Sequence, residues 1–120
     1  MPTLTVVTNA EMTKKGAQDL VKALTDFIYP IAECPKEYVH AHVSHSQVVS
    51  FGSGDCETLC CHTRVVHAQE LSREKKNEIA GKIQEALMQA VPTINPGSTQ
   101  VLFEETSGAN IAIGGAMLPL

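Results

Sequence analysis

Three kinds of side chain in this sequence suit proton transfer or anion binding. The first is Pro2, directly behind the opening methionine. Removal of Met1, usual before a small second residue, would leave a proline with a free secondary amine at the head of a β-branched run, Thr3-Leu4-Thr5-Val6-Val7-Thr8. A free α-amine titrates at about 7.7–8.0, and an apolar setting lowers that value by penalising the ammonium form. A neutral, fixed amine of this kind can act as a general base at neutral pH. The second kind is the pair of cations Lys36 and Arg64. A guanidinium meets a carboxylate in a two-pronged fork, whereas an ammonium acts as a point charge. Glu104 and Glu105 are the third kind. They are consecutive, so on a strand only one of them can face a given pocket.

The histidines and cysteines raise the question of a metal. His40 and His42 share one face of a strand, His45 follows, and Cys56, Cys60, Cys61 and His62 offer softer ligands. Zinc takes three or four convergent ligands, usually with a close pair such as C-x₂-C. Here three residues separate Cys56 from Cys60, and Cys60 and Cys61 point to opposite faces of a strand. No metal or other cofactor is expected. Gly52-x-Gly54 and Gly114-Gly115 lack the strand-loop-helix setting of a phosphate loop and read as turns.

The elements that must position these groups follow from the hydrophobic pattern. Leu4 to Thr8 suits a buried strand. From Thr13, apolar residues at Ala17, Leu20, Val21, Leu24, Phe27, Ile28 and Ile31 keep helical spacing, with Pro30 and Cys34-Pro35 as terminators. Tyr38 to Ser44 alternates as a strand, Val48 to Phe51 reads as a second short one, and Gly52-Ser53-Gly54-Asp55 is a turn. The plan then repeats. Thr58 to His67 reads as a strand, Ser72 caps a helix carrying Ile79, Ile83, Leu87 and Val91, and Pro92 with Asn95-Pro96-Gly97 stops it. Thr99 to Glu105 is another strand, followed by a small, apolar, glycine-containing tail. This order predicts a single α+β (α/β-like) domain over residues 1–120, with pseudo-repeats at about 1–51 and 56–105 and an oligomerisation tail over 106–120. Two β-α-β units form a four-stranded mixed sheet with both helices on one face. The other face is bare, and with no Trp and three Phe the chain has little to cover it, so self-association is expected.

Composition narrows the function classes. The chain has 120 residues, 43% of them hydrophobic, enough to bury about two-thirds of its unfolded surface. A net charge of −4 with scattered Lys and Arg argues against a nucleic-acid partner. No window of roughly 18 apolar residues suits a membrane span, and the first residues lack a basic stretch followed by an apolar one. Four irregularly spaced cysteines do not frame a secreted domain. A cytoplasmic, reduced protein is expected, with non-classical secretion as the alternative route.

Several of these stretches match one family in order and spacing. Met1-Pro2 with its apolar strand, Tyr38-Val39-His40-Ala41-His42-Val43, Phe51-Gly52-Ser53-Gly54, Leu59-Cys60-Cys61-His62 and Val101-Leu102-Phe103-Glu104-Glu105 resemble the tautomerase superfamily, in particular the macrophage migration inhibitory factor (MIF) branch. Glu105-Thr106-Ser107-Gly108-Ala109-Asn110 is similar to the cis-chloroacrylic acid dehalogenase branch. The resemblance implies a trimer of β-α-β pairs with Pro2 as catalytic base. The family's substrate-binding lysine falls on Cys34, with Lys36 two residues further on; its pocket aromatic falls on Leu102, the neighbouring asparagine on Glu104, and a substrate-binding backbone position on Val66. On the dehalogenase side, Arg64 takes the place of a carboxylate-binding arginine and His67 that of a second one. The catalytic histidine of that branch falls on Ile28 and its water-activating glutamate near Ala112 or Ile113, which leaves hydration chemistry without an activator. Of the thiol motif in the MIF branch only Cys61 matches, its partner position being Thr58.

The expected function is therefore a cofactor-free keto–enol tautomerase of the phenylpyruvate type, acting on a small 2-oxo or unsaturated acid. Pro2 is the base, Arg64 or Lys36 holds the carboxylate and the enolate charge, and Leu102, Phe103 and Val66 form a dry wall, with Glu104 alongside. The site is expected between subunits of a homotrimer. The alternatives are a MIF-like binding or signalling protein with a protein receptor and a vestigial pocket, and a proline-dependent dehalogenase or decarboxylase-like enzyme.

Overall fold

In the computed structural model, which describes residues 2–52 and 54–118, the β-α-β plan recurs twice. β1 (Pro2–Thr8), α1 (Lys14–Ala32) and β2 (His40–Ser44) make the first unit, and β3 (Cys61–His67), α2 (Arg73–Ala90) and β4 (Thr99–Glu105) the second. The sheet order is β2-β1-β3-β4. β1 runs parallel to β2 and antiparallel to β3, and β3 runs parallel to β4, so the sheet is mixed as expected. Leu4, Val6 and Val65, all fully buried, form one sheet face with Thr8, Cys61 and Thr63. Leu20, Leu24 and Ile28 of α1 and Ile79, Ile83 and Leu87 of α2 close over them.

α2 starts at the cap expected for it, Ser72, and α1 is capped by Thr13, the residue that opens its apolar pattern. Thr13 accepts from the Gly16 amide at 3.0 Å, and Ser72 from the Lys75 amide at 3.1 Å, satisfying first-turn donors. The end of α1 differs from expectation, because Pro30 lies inside the helix and the chain continues to Ala32. Glu33 then turns left-handed (φ 55°), with its amide donating to the Pro30 carbonyl and that of Cys34 to Tyr29. This paired closure satisfies the last carbonyls, so the reversal at Glu33 ends the helix and the proline does not.

Three strand limits also differ. Tyr38 belongs to a 3₁₀ turn over Lys36–Tyr38, and β2 begins at His40. Val48 to Phe51 forms no strand: after β2 the chain reverses at Ser46 (φ 58°), whose amide donates to Ala10, while that of Gln47 donates to Thr8. Ser53 of the Gly52–Asp55 turn lies outside the described residues. β3 begins at Cys61 rather than Thr58, because the segment before it is held by a side chain instead of a ladder. The Asn9 amide donates to the Cys56 carbonyl at 2.9 Å and the Thr58 carbonyl at 2.8 Å, and its oxygen accepts from the Cys60 amide at 2.9 Å. Thr8 Oγ1 adds a bond to the Cys60 carbonyl at 2.7 Å.

The tail folds into a small antiparallel hairpin, β5 (Ala112–Ile113) and β6 (Ala116–Met117). Its two turn residues, Gly114 (φ 62°) and Gly115 (φ 85°), both need positive φ, which glycine supplies without strain. Asn9 makes the larger contribution to loop order. Asn9→Ala is expected to lower stability by about 2–3 kcal/mol, since it removes these bonds and leaves backbone groups unpaired. Equilibrium urea unfolding measures this, with β3 still folded in the variant at low denaturant.

Candidate active site

The two-residue period of the strands sorts the chemistry-bearing residues onto two faces. Pro2 is among the fully buried side chains and lies on the helix-covered face with Leu4 and Val6. Its partner across the antiparallel ladder is His67, and the partner of His67 in β4 is Glu105. On the open face the next rung joins His40, Thr3, Val66 and Glu104, and the one beyond that pairs His42, Thr5, Arg64 and Leu102.

His67 is completely buried. Its Nδ1 lies 2.6 Å from the Gln69 carbonyl oxygen, which can only accept, so Nδ1 carries a proton. In the neutral ring Nε2 is then a bare acceptor, and neither it nor the Gln69 Oε1 atom has a partner among the described residues. Phe103 meets the imidazole edge to face, with ring centroids 6.3 Å apart. The Thr106 amide donates to the His67 carbonyl at 2.8 Å and holds the end of β3 against the chain leaving β4. Beyond Phe103 an open cleft of about 630 Å³ runs to the first turns of α2, with Arg73 and Lys76 on its rim.

Both candidate carboxylate-binding cations already hold carboxylates. Lys36 is 2.9 Å from Asp26 and reaches over the Tyr29 ring, so it is turned toward α1. Hydrogen bonds from Lys22 and Lys36 hold the Asp26 carboxyl below its ordinary range, and the bond to Asp26 raises the Lys36 ammonium in turn. Arg64 Nη2 lies 2.5 Å from Glu104 Oε2, a pair made across β3 and β4 on the open face. Glu104 and Glu105 thus divide between the faces as their alternation requires.

The expected dry wall is split between the same two faces. Val66 and Leu102 lie on the open face, with Leu102 46% exposed, whereas Phe103 packs with His67 on the Pro2 side. Consecutive strand residues cannot share a wall, and counting by twos from Pro2 through the ladder identifies Phe103 as its neighbour. Cys34, in the family lysine's place, carries a half-buried thiol pushed up by desolvation and pulled partly back by a hydrogen bond with the Gln69 side chain. It supplies neither a cation nor a ready thiolate. Sequence reasoning placed His67 only by analogy and left Gln69 out. The signal for both was the position of His67 at the end of the strand that pairs with Pro2.

The remaining histidines and thiols do not assemble. Among the described residues no three His, Cys, Asp or Glu side chains converge on a metal position. His42 Nε2 pairs with Ser44 Oγ at 3.2 Å, and His45 Nδ1 with Ser46 Oγ at 3.0 Å. All four cysteines are free. Burial pushes the Cys61 thiol up to about 11 and also raises Cys60, whose Sγ donates to the Val49 carbonyl at 3.6 Å.

No family model matches this chain, and no curated protein does. Solved structures do. MIF from Toxoplasma gondii superimposes with a TM-score of 0.86 at 15% identity, covering 97% of this chain and 99% of that one. MIF from Giardia lamblia matches with a TM-score of 0.71 at 25% identity, over 87% and 98% of the two chains. The structure of Pt0534 inactivated by 2-oxo-3-pentynoate matches with a TM-score of 0.83 at 13% identity, over 96% and 94%. The chain has the MIF/tautomerase fold.

The thiols allow a direct check on burial near β3. At pH 8 a thiol titrating near 11 is ionised in about one molecule per thousand. A disulfide-exchange reagent should therefore label exposed Cys56 first, and reach Cys60 and Cys61 at comparable rates only after denaturation. Peptide mapping by mass spectrometry reads the order.

Proposed function

We propose that this protein, once Met1 is removed, is a cofactor-independent keto–enol tautomerase that uses the Pro2 amine as general base on a small 2-oxo or unsaturated acid. The observation that carries the reading is the setting of Pro2: fully buried at the head of the central strand, beside Leu4 and across from His67. Burial disfavours an ammonium, so the amine is available as a neutral base. In this reading Pro2 takes a proton from the carbon next to the carbonyl and returns it at the other end of the delocalised system. Arg64 stabilises the charge that develops on the enolate and its carboxylate, the electrostatic contribution that usually dominates such reactions. Arg64 fits this role better than Lys36, because its carboxylate partner Glu104 stands on the rung next to that of Pro2, whereas Lys36 is committed to Asp26.

We further propose that the chain works as a homotrimer with the site at a subunit boundary. β2 and β4 are the outer strands of the sheet, and one sheet face carries no helix. The β5–β6 hairpin presents Ile113 and Met117, 41% and 55% exposed, to solvent. Apolar residues on a protruding hairpin fit an intersubunit contact. Sedimentation equilibrium should give three times the chain mass, and Ile113→Glu with Met117→Glu should shift it toward monomer. A wild-type chain that sediments as a monomer sinks the assembly.

A second reading, a MIF-like binding protein with little catalysis, is favoured by one feature: both candidate carboxylate-binding cations are occupied by carboxylates of the chain itself. Enolisation of phenylpyruvate by protein verified by mass to lack Met1 separates the two readings. Pro2→Ala should lower the rate at least about 100-fold, the usual contribution of a positioned base. The rate should fall as pH drops through the amine pKa, with a midpoint below the free-amine range of about 7.7–8.0. Equal rates for wild type and Pro2→Ala would leave binding as the function.

A further inference from the structure

We infer that the Arg64–Glu104 pair selects ligands whose carboxylate carries a hydrogen-bond donor on the adjacent carbon, an enolic or saturated 2-hydroxy acid or an α-amino acid, over plain carboxylates. This rests on reading the Pro2 end of the sheet as the substrate site. The guanidinium and the carboxylate lie side by side on the open face, 2.5 Å apart, and each is about half exposed. An ion pair that exposed contributes little to stability, so a ligand displaces it at small cost. The consequences of displacement differ by ligand. A plain carboxylate takes Arg64 from Glu104 and is then repelled by the freed Glu104 charge. A ligand with a neighbouring hydroxyl or ammonium takes Arg64 with its carboxylate and donates to Glu104, so that both protein charges stay satisfied.

The surroundings suit such a ligand. Val66 shares the rung of Glu104, and Leu102 that of Arg64, so apolar surface lies diagonally against each charge. The Glu104 rung is one residue from the Pro2 rung, and β4 is two strand spacings, about 10 Å, from β1. Pro2 and the pair project to opposite faces, so a ligand that reaches both passes around the end of the sheet where β1 begins. The enol of a 2-oxo acid carries a hydroxyl on the carbon next to its carboxylate, whereas its keto form carries only an acceptor there. Glu104 therefore favours the enol as the bound form.

Equilibrium binding of ligands that cannot turn over tests the inference, by calorimetry on wild type, Glu104→Ala, Arg64→Ala and Pro2→Ala. The probes are phenyllactate, phenylalanine and 3-phenylpropanoate, which differ only at the adjacent carbon. Wild type should bind phenyllactate or phenylalanine roughly tenfold more tightly than 3-phenylpropanoate, the scale of one charge-assisted bond. Glu104→Ala should abolish that preference and tighten 3-phenylpropanoate, while Arg64→Ala should weaken all three. Preference for phenyllactate alone identifies the hydroxy acid as the source of the donor, and preference for phenylalanine alone the amino acid. Equal binding of all three by wild type, or a preference that survives in Glu104→Ala, overturns the proposal. Pro2→Ala should keep the preference, so the loss of a base role for Pro2 in the enolisation assay stays distinct from a failure of this inference.

Discussion

β1 is held from both sides, and its register governs everything chemical in this protein. Leu4 and Val6 are completely buried beneath the helices, and Thr3, Thr5 and Val7 face the other way. A slip of one residue would bury the threonines and push two large apolar side chains out of the core. The cost of that exchange fixes the pairing of β1 with β2 and β3. Pro2 then has to stand opposite His67 on the covered face, and Thr5 opposite Arg64 on the open one. The functional pairings are consequences of core packing two and four residues away.

The same alternation explains why the sheet carries two kinds of environment so close together. On the covered face, proximity to the core produces a dry end, where His67 Nε2 and Gln69 Oε1 have no hydrogen-bond partner among the described residues. The open face is hydrated enough to keep a half-exposed ion pair, three histidines and two threonines. In the proposed reaction, a base whose basicity depends on dryness and a cation that exchanges partners need these opposite settings. Pro2 and Arg64 lie three rungs apart on the two faces of one sheet, at the end where β1 begins and where β3 and β4 finish.

Much of this was legible in the residues because local and global preferences agree. β4 occupies the span expected for it, Ser72 caps α2 as expected, and the two β-α-β units have the predicted order. The misses have specific causes. Pro30 looked like a terminator because proline removes a donor, but the helix runs two residues past it, and the reversal at Glu33 does the terminating. Residues 58–60 looked like strand because their composition suits one, and nothing local reveals that Asn9, some fifty positions earlier, holds the backbone there. Phe103 was grouped with Leu102 because they are neighbours in sequence, whereas a strand separates such neighbours by the thickness of the sheet.

The charged residues were the least legible part of the site, for a reason that bears on function. Residue type identifies Arg64 and Lys36 as cations able to hold an anion, but it does not reveal which anion of the chain reaches them first. Lys36 meets Asp26 through the turn that follows α1, and Arg64 meets Glu104 through the parallel register of β3 and β4. Each pairing depends on tertiary geometry, so each is invisible to spacing rules. Their fates differ. Asp26 is shared by Lys22 and Lys36, a network that holds the lysine to α1. Glu104 has Arg64 as its recorded ionic partner and valine and leucine beside it, so the pair can open toward a ligand without disturbing a helix. In the proposed site, an arginine that arrives with an exchangeable carboxylate has its specificity set by the pair: a ligand must match two charges of opposite sign at once, and the acid alone is an incomplete match.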